Sequence, residues 1–251
     1  MADRKGRSFS YKKRHKLGWT RWLLFLVGKP IKVKESVLHT TPWLTRGMIA
    51  AISLISIFAW FGAEGEMMFN ALAFYPEASS PQWYFGMVGC AFLHAGWAHL
   101  VGNMYFLWLF GRNVECRFGR RRMIGLFLIS TALGAYFHGL LADAPLVGAS
   151  GGIFGILVMY AMLFPKSRIL WVPFFGFIFR LIALRSEKML GKRFLREGLP
   201  VRFFLLIYVG LQFFLLYEQI YAEGSVSALG HLGGGLAGLL LFAGWKFKWL
   251  P

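Results

Sequence analysis

Residues 228–245 read ALGHLGGGLAGLLLFAGW, eighteen positions without a formal charge. One helix needs roughly 20 mostly apolar residues to cross the hydrocarbon core of a bilayer, and fewer if one end is recessed into protein. Two features set this run apart from a purely lipid-facing span. Gly230, Gly234 and Gly238 recur every four residues, and His231 shares a helix face with Gly234 and Gly238. Residues without a side chain let a second backbone approach closely, so this helix is expected to pack against a neighbour with its imidazole at the contact.

Working outward, five more stretches have the length and polarity of spans: 47–63, 92–111, 123–141, 146–164 and 203–221. The Gly-Ala-Ser-Gly run at the start of the 146–164 stretch suits a tightly packed helix start better than a helix interior. The predicted fold is an all-α membrane protein, a bundle of six transmembrane helices. Composition agrees, because 57% of the 251 residues are hydrophobic and 18% aromatic, too apolar for an ordinary soluble chain. A net charge of +17 raises the question of nucleic acid, but the Lys and Arg residues fall outside the apolar runs instead of spreading over one folded surface. Nucleic acid is excluded as a partner, and the lipid bilayer takes its place.

An even number of spans puts both termini on one side. With the amino terminus cytoplasmic, the tail up to Arg46 carries 12 basic residues, the loop Arg112–Arg122 carries 5, the segment Lys166–Arg202 carries 9, and Lys246 and Lys248 close the chain. All 28 basic residues then lie inside, as the positive-inside rule requires. Glu64, Glu66, Glu77, Asp143, Glu218 and Glu223 remain for the opposite face. Cys90 and Cys116 fall on opposite sides and cannot pair. Two other apolar stretches are read as interfacial: Leu17–Val27, short and interrupted by Arg21, and Trp171–Leu184, which contains Pro173 and Arg180. The division is a basic cytoplasmic tail over residues 1–45, with that interfacial helix, and a membrane domain over 46–251. Asp3 and a Lys-rich, Ser-poor tail argue against an organelle presequence.

The second, fourth and sixth spans run in the same direction, which brings five polar side chains to one depth. His94, His99 and Asn103 lie in the first half of the second span, Ser150 at the start of the fourth and His231 at the start of the sixth. Polar groups at membrane depth point to a site lining a protein cavity, or else to interhelical hydrogen bonds of about 0.6 kcal/mol each. Gly148, Gly151, Gly152 and Gly155 surround Ser150 with residues that have no side chain. A serine hydroxyl and an imidazole could then meet across two close helices. This pattern by itself leaves both a site and simple packing open. His138, alone near the end of the third span, is assigned no role.

Residue identities go further. FLHAGWAHLVGNMYFLWLFGRNVECRFG at 92–119 resembles the rhomboid pattern of two histidines, an asparagine and a following Glu-x-Arg. VGASGGIFG at 147–155 is similar to the family's Gly-x-Ser-Gly nucleophile motif, and ALGHLGGGLAGLL at 228–240 resembles its last-helix motif, with Gly where many members carry an aromatic. The resemblance implies a bacterial-type intramembrane serine protease in a plasma membrane with both termini cytoplasmic. It implies Ser150 as nucleophile, His231 as general base, and Asn103, His99 and the Ser150 N–H as oxyanion donors. His94, Gly148, Gly151 and Gly234 would support the site, and Phe154 matches the position of an aromatic against the histidine. Its substrates would be single-span transmembrane proteins cut near the outer face, with no metal or cofactor. One departure concerns the first outer loop, where Trp83 is present but no Arg occurs between residues 47 and 111 to complete the Trp-Arg pair of some members. The competing readings are a helix-binding pseudoenzyme, which typically lacks the serine or histidine, and a small transporter, which would show an internal repeat or a polar track to the inner half.

Overall fold

The structure, a computed structural model, describes residues 11–13, 19, 23, 30–36, 38–77, 81–171, 198–221 and 226–247. It contains two compact units, one made of Thr40–Tyr160 and Tyr208–Pro251 and the other of Met1–His39 and Ala161–Ile207. The described elements, in chain order, are strands β1 (Tyr11–Lys13) and β2 (Ile31–Ser36), then helices α1 (Trp43–Phe58), α2 (Gly62–Leu72), α3 (Pro81–Gly89), α4 (Trp97–Phe118) and α5 (Arg120–His138). Helix α6 (Ser150–Leu163), strands β3 (Arg168–Leu170) and β4 (Leu199–Pro200), and helices α7 (Val201–Tyr221) and α8 (Ala228–Lys246) follow.

In the larger unit, α1 begins with no capping side chain of its own. A carboxylate from elsewhere supplies the acceptor. Glu115 of α4, buried at 3% exposure, accepts the N–H groups of Leu44 (3.0 Å) and Thr45 (2.8 Å) and the Thr45 hydroxyl (2.8 Å). Arg120 pairs with it at 3.3 Å. This satisfies free backbone donors of the first turn and compensates a buried charge at the same time. At the far end of α1, the Ser56 hydroxyl donates to the Phe92 carbonyl at 2.8 Å. The two anchors tie the start of α1 to the end of α4 and the end of α1 to the 3₁₀ turn Cys90–Phe92 that precedes α4.

Six helices, α1 and α4–α8, occupy the six stretches expected to span, with shifted bounds. By length and apolarity alone α7 and α8 can cross a bilayer, α1 and α6 are shorter apolar helices, and α3 with α4 forms one apolar pair bent by 83°. Apolar side chains are exposed along the bundle, among them Leu54 and Phe58 on α1, Phe213, Phe214 and Ile220 on α7, and Leu239 and Leu240 on α8. Such a surface belongs against lipid. The protein is an all-α membrane bundle.

Two expectations need correction. The stretch at 92–111 does not begin a helix at Phe92: Leu93 is extended, Gly96 is fully extended, and the helix runs from Trp97 to Phe118 through a π segment at Leu107–Gly111. His94 therefore lies in the bend and not in a span. The helix expected to reach residue 63 ends at Phe58, because Gly62, at φ +70°, opens α2 instead. The first loop holds α2 and α3, packed by close backbone contacts of Gly65 on Phe58 and of Gly86 on Ala73 and Phe74. Trp83 packs edge-on against Phe74 in this loop (5.7 Å).

The smaller unit holds a sheet with no counterpart in the sequence expectations. Its order is β1-β2-β3-β4, antiparallel throughout, with Ile31 opposite Leu170, Ile169 opposite Leu199, and a bulge between Lys32 and Lys34. Ile31, Ile169, Leu170, Val201 and Phe204 are buried, and Trp171 meets Phe204 edge-on at 5.1 Å. Of the expected interfacial stretches only Trp19, Leu23 and Trp171 are described. Trp19 and Leu23 are helical and exposed, and the remainder of both stretches lies outside the described residues.

Candidate active site

Ser150 is the first residue of α6. The turn before it depends on Gly148, whose φ of +127° disfavours any residue with a Cβ. A Cβ there would also lie 2.8 Å from the His99 ring. The Gly148 N–H donates to the Cys90 carbonyl at 2.8 Å, tying the serine turn to the 3₁₀ turn Cys90–Phe92.

His94 braces the same turn from the other side. Its Nδ1 is 2.9 Å from the Ser56 hydroxyl. That hydroxyl already gives its hydrogen to the Phe92 carbonyl, so Nδ1 carries the proton and Nε2 is left as an acceptor. The Ala149 N–H lies 3.5 Å from this Nε2. His99 meets the His94 ring edge-on, with centroids 4.9 Å apart.

His231 stands in the first turn of α8, and the glycine face of that helix brings it close to α6. Gly234 sits directly on the Gly151 backbone, and a Cβ at Gly238 would come within 2.5 Å of the Gly155 carbonyl. Gly134 of α5 approaches Gly230 in the same way, so three helices meet through backbone. Ser150 and His231 both line a small cavity of about 10 Å³, room for about one water, together with Gly148, Gly151, Cys90 and Ser227. Among the described residues no carboxylate lines it. Among the described residues Ser150 Oγ makes no hydrogen bond, so serine and imidazole share the cavity without being joined. Catalytic contacts are often loose before substrate binds.

The imidazole itself is held on two sides. Phe154, one turn after Ser150, stacks on it with centroids 4.7 Å apart and planes within 6°. The stack continues through Tyr208 (5.2 Å) to Phe106 (5.6 Å). At the ring edge, His231 Nδ1 is 2.7 Å from Gln212 Oε1. Asn103 is buried, and its Nδ2 donates to the His99 carbonyl at 3.0 Å. Neither Asn103 nor His99 lines the Ser150–His231 pocket. Among the described residues no three His, Cys, Asp or Glu side chains stand close enough to hold a metal ion.

Residues 81–246 match the family model of the Rhomboid domain. The chain belongs to the rhomboid family. It is similar to Rhomboid-like protein 11, chloroplastic, of Arabidopsis thaliana, at 31% identity over 64% of this chain and 52% of that protein. It is also similar to Rhomboid protease GluP of Bacillus subtilis (strain 168), at 30% identity over 60% of this chain and 24% of that protein. Rhomboid protein 1, mitochondrial, of Saccharomyces cerevisiae (strain ATCC 204508 / S288c) matches at 34% identity over 35% of this chain and 28% of its own length. This rhomboid chain thus spans about half, or less, of the length of these relatives.

Sequence reasoning passed over Gln212. The available signal is an amide in the middle of FFLLIYVGLQFFLLYEQIY, a polar residue at membrane depth like His94, His99, Asn103, Ser150 and His231. His138 also has more than one neighbour. Its Nε2 donates to the Ala144 carbonyl (2.8 Å), which leaves Nδ1 to accept from the Ser227 hydroxyl (2.8 Å). Ser227 in turn caps α8 by accepting the Gly230 N–H at 3.2 Å.

Proposed function

We propose that this rhomboid-family chain is an intramembrane serine endopeptidase in which Ser150 is the nucleophile and His231 the general base. The observation that carries this reading is the shared pocket: Ser150 and the His231 imidazole, brought to one cavity by backbone contact between α6 and α8. A serine hydroxyl is a weak nucleophile unless a base removes its proton during attack. His231 takes that proton as Ser150 Oγ adds to the scissile carbonyl, then returns it to the leaving amine, and water entering through the pocket resolves the acyl-enzyme. The developing oxyanion is met by the Ser150 N–H at the start of α6 and by donors from Asn103 and His99. Asn103 has one amide hydrogen engaged by the His99 carbonyl and a second to offer.

The substrates are single-span transmembrane proteins, cut near the outer face of a bacterial plasma membrane, with both termini of the enzyme cytoplasmic. The loop charges support that orientation, since every Lys and Arg falls on one side of the expected topology. A serine-directed phosphonate applied to the detergent-solubilised chain tests the chemistry. It should label wild type, and Ser150→Ala should abolish both labelling and cleavage of a transmembrane substrate. His231→Ala should abolish cleavage, and the two losses should not add, because nucleophile and base act as one unit. Labelling retained in Ser150→Ala places the nucleophile elsewhere. A folded wild type that never labels or cleaves is a pseudoenzyme.

A further inference from the structure

The geometry points to Gln212 as the positioning residue for His231: its side-chain carbonyl holds the Nδ1–H, so that Nε2 faces the Ser150 side as the free base. This rests on the protease reading above and adds a third member to it. Gln212 is 2% exposed in the middle of α7, and its Oε1 is 2.7 Å from His231 Nδ1. Its amide nitrogen donates to the Tyr208 carbonyl at 3.2 Å. That second bond decides which way the amide points, because only the NH₂ end can donate to a carbonyl. The oxygen is therefore the atom turned to the ring. A carbonyl oxygen only accepts, so Nδ1 must carry hydrogen and Nε2 keeps its lone pair.

Two constraints then act on one ring. Phe154 fixes its plane by stacking, and Gln212 fixes its rotation within that plane and its tautomer. Serine hydrolases in water commonly give the orienting task to a carboxylate. In a span surrounded by lipid, a buried carboxylate would be costly unless paired, and among the described residues no acidic side chain lines this pocket. A neutral amide performs the orientation without that charge. Its hydrogen bond strengthens when the ring becomes imidazolium during attack.

The alternative is that Gln212 only ties α7 to α8. Gln212→Met and Gln212→Glu, made in the full chain, separate the two roles. Methionine keeps the length and loses the acceptor. Nitrogen-15 spectra of labelled histidine should show the Nδ1–H tautomer for His231 in wild type and its loss in Gln212→Met. With a transmembrane substrate, Gln212→Met should lower kcat by about tenfold or more with KM nearly unchanged. Gln212→Glu should retain cleavage but move the acid limb of the kcat profile to higher pH, because a carboxylate favours the protonated ring and the base frees itself later. Wild-type kcat and tautomer in Gln212→Met would overturn the assignment. So would a loss of activity that tracks lowered thermal stability while the pH limb stays fixed in both variants. If the tautomer responds as expected but wild type shows no Ser150-dependent labelling, the contact stands and the protease reading beneath it fails, taking the catalytic purpose of Gln212 with it.

Discussion

At the residue scale, the donors proposed for the oxyanion differ in how they are held. The Ser150 N–H belongs to the first turn of α6, where the backbone has no partner within the helix. Asn103 is fixed by its own helix through the His99 carbonyl. Removing one of several donors leaves the others, so Asn103→Ala should reduce the cleavage rate by up to about 10²-fold with the fold intact. Steady-state cleavage measured alongside a thermal melt checks this, and unchanged turnover would make Asn103 a packing residue only. The His94 network predicts a different outcome. Ser56→Ala removes the partner of His94 Nδ1, leaving a buried donor unpaired at a cost of about 1–3 kcal/mol. It should lower the melting temperature before it changes the chemistry.

At the element scale, the close meeting of α6 and α8 is what brings Ser150 and His231, the proposed nucleophile and base, to one pocket. Gly234 and Gly235 are neighbours in sequence with opposite surroundings. A Cβ at Gly234 would run into the Gly151 backbone, while one at Gly235 would meet Val158 Cγ2 at an ordinary 3.6 Å. Gly234→Ala should push the helices apart, destabilise the protein by about 1–3 kcal/mol and depress cleavage. Gly235→Ala should leave stability within about 0.5 kcal/mol of wild type or raise it slightly through helix propensity. Equal melts for the two variants would mean that the backbone contact is not tight. The start of α8 depends on Ser227, which accepts from Gly230 and is itself held by His138. Ser227→Ala should cost about 1 kcal/mol through the lost cap and loosen the turn that carries His231.

At the scale of the whole molecule, orientation in the membrane is the property that charge predicts and geometry tests. Cys90 is 1% exposed and will not report on sidedness, whereas Asp143 and Arg121 are both exposed. With Cys116 replaced by serine, an impermeant thiol reagent applied outside intact cells should label Asp143→Cys and not Arg121→Cys. The reverse pattern would invert the topology and move the site to the inner face. A substrate helix hides its carbonyls in hydrogen bonds and must unwind before attack. Gly or Pro near the scissile bond should therefore speed cleavage, and a run of Leu there should slow it. If neither change alters the rate, unwinding is not a requirement.

Six helices fall where the apolar runs of the sequence put them, because a bilayer demands about 20 residues with satisfied backbone and few chains meet that demand by accident. The glycine spacing around Ser150 and His231 was equally legible, since helix periodicity alone puts His231, Gly234 and Gly238 on one face. What the sequence could not state is which groups meet across long separations. Glu115 caps a helix some 70 residues earlier, and His94 sits in a bend that no periodicity announces, because its partner is Ser56 on α1. Gln212 looked like one amide in an apolar span until the fold set its oxygen against His231. The sheet of the smaller unit joins residues 31–36 to 168–170 and 199–200, a pairing set by backbone hydrogen bonds between segments with no common local pattern. Local spacing therefore determined the spans and the close-packing helix faces that carry Ser150 and His231, while the motif resemblance singled out those two residues as the proposed dyad. The tertiary structure alone decided how the imidazole is held, because a hydrogen-bond partner is chosen by distance in space and not by position along the chain.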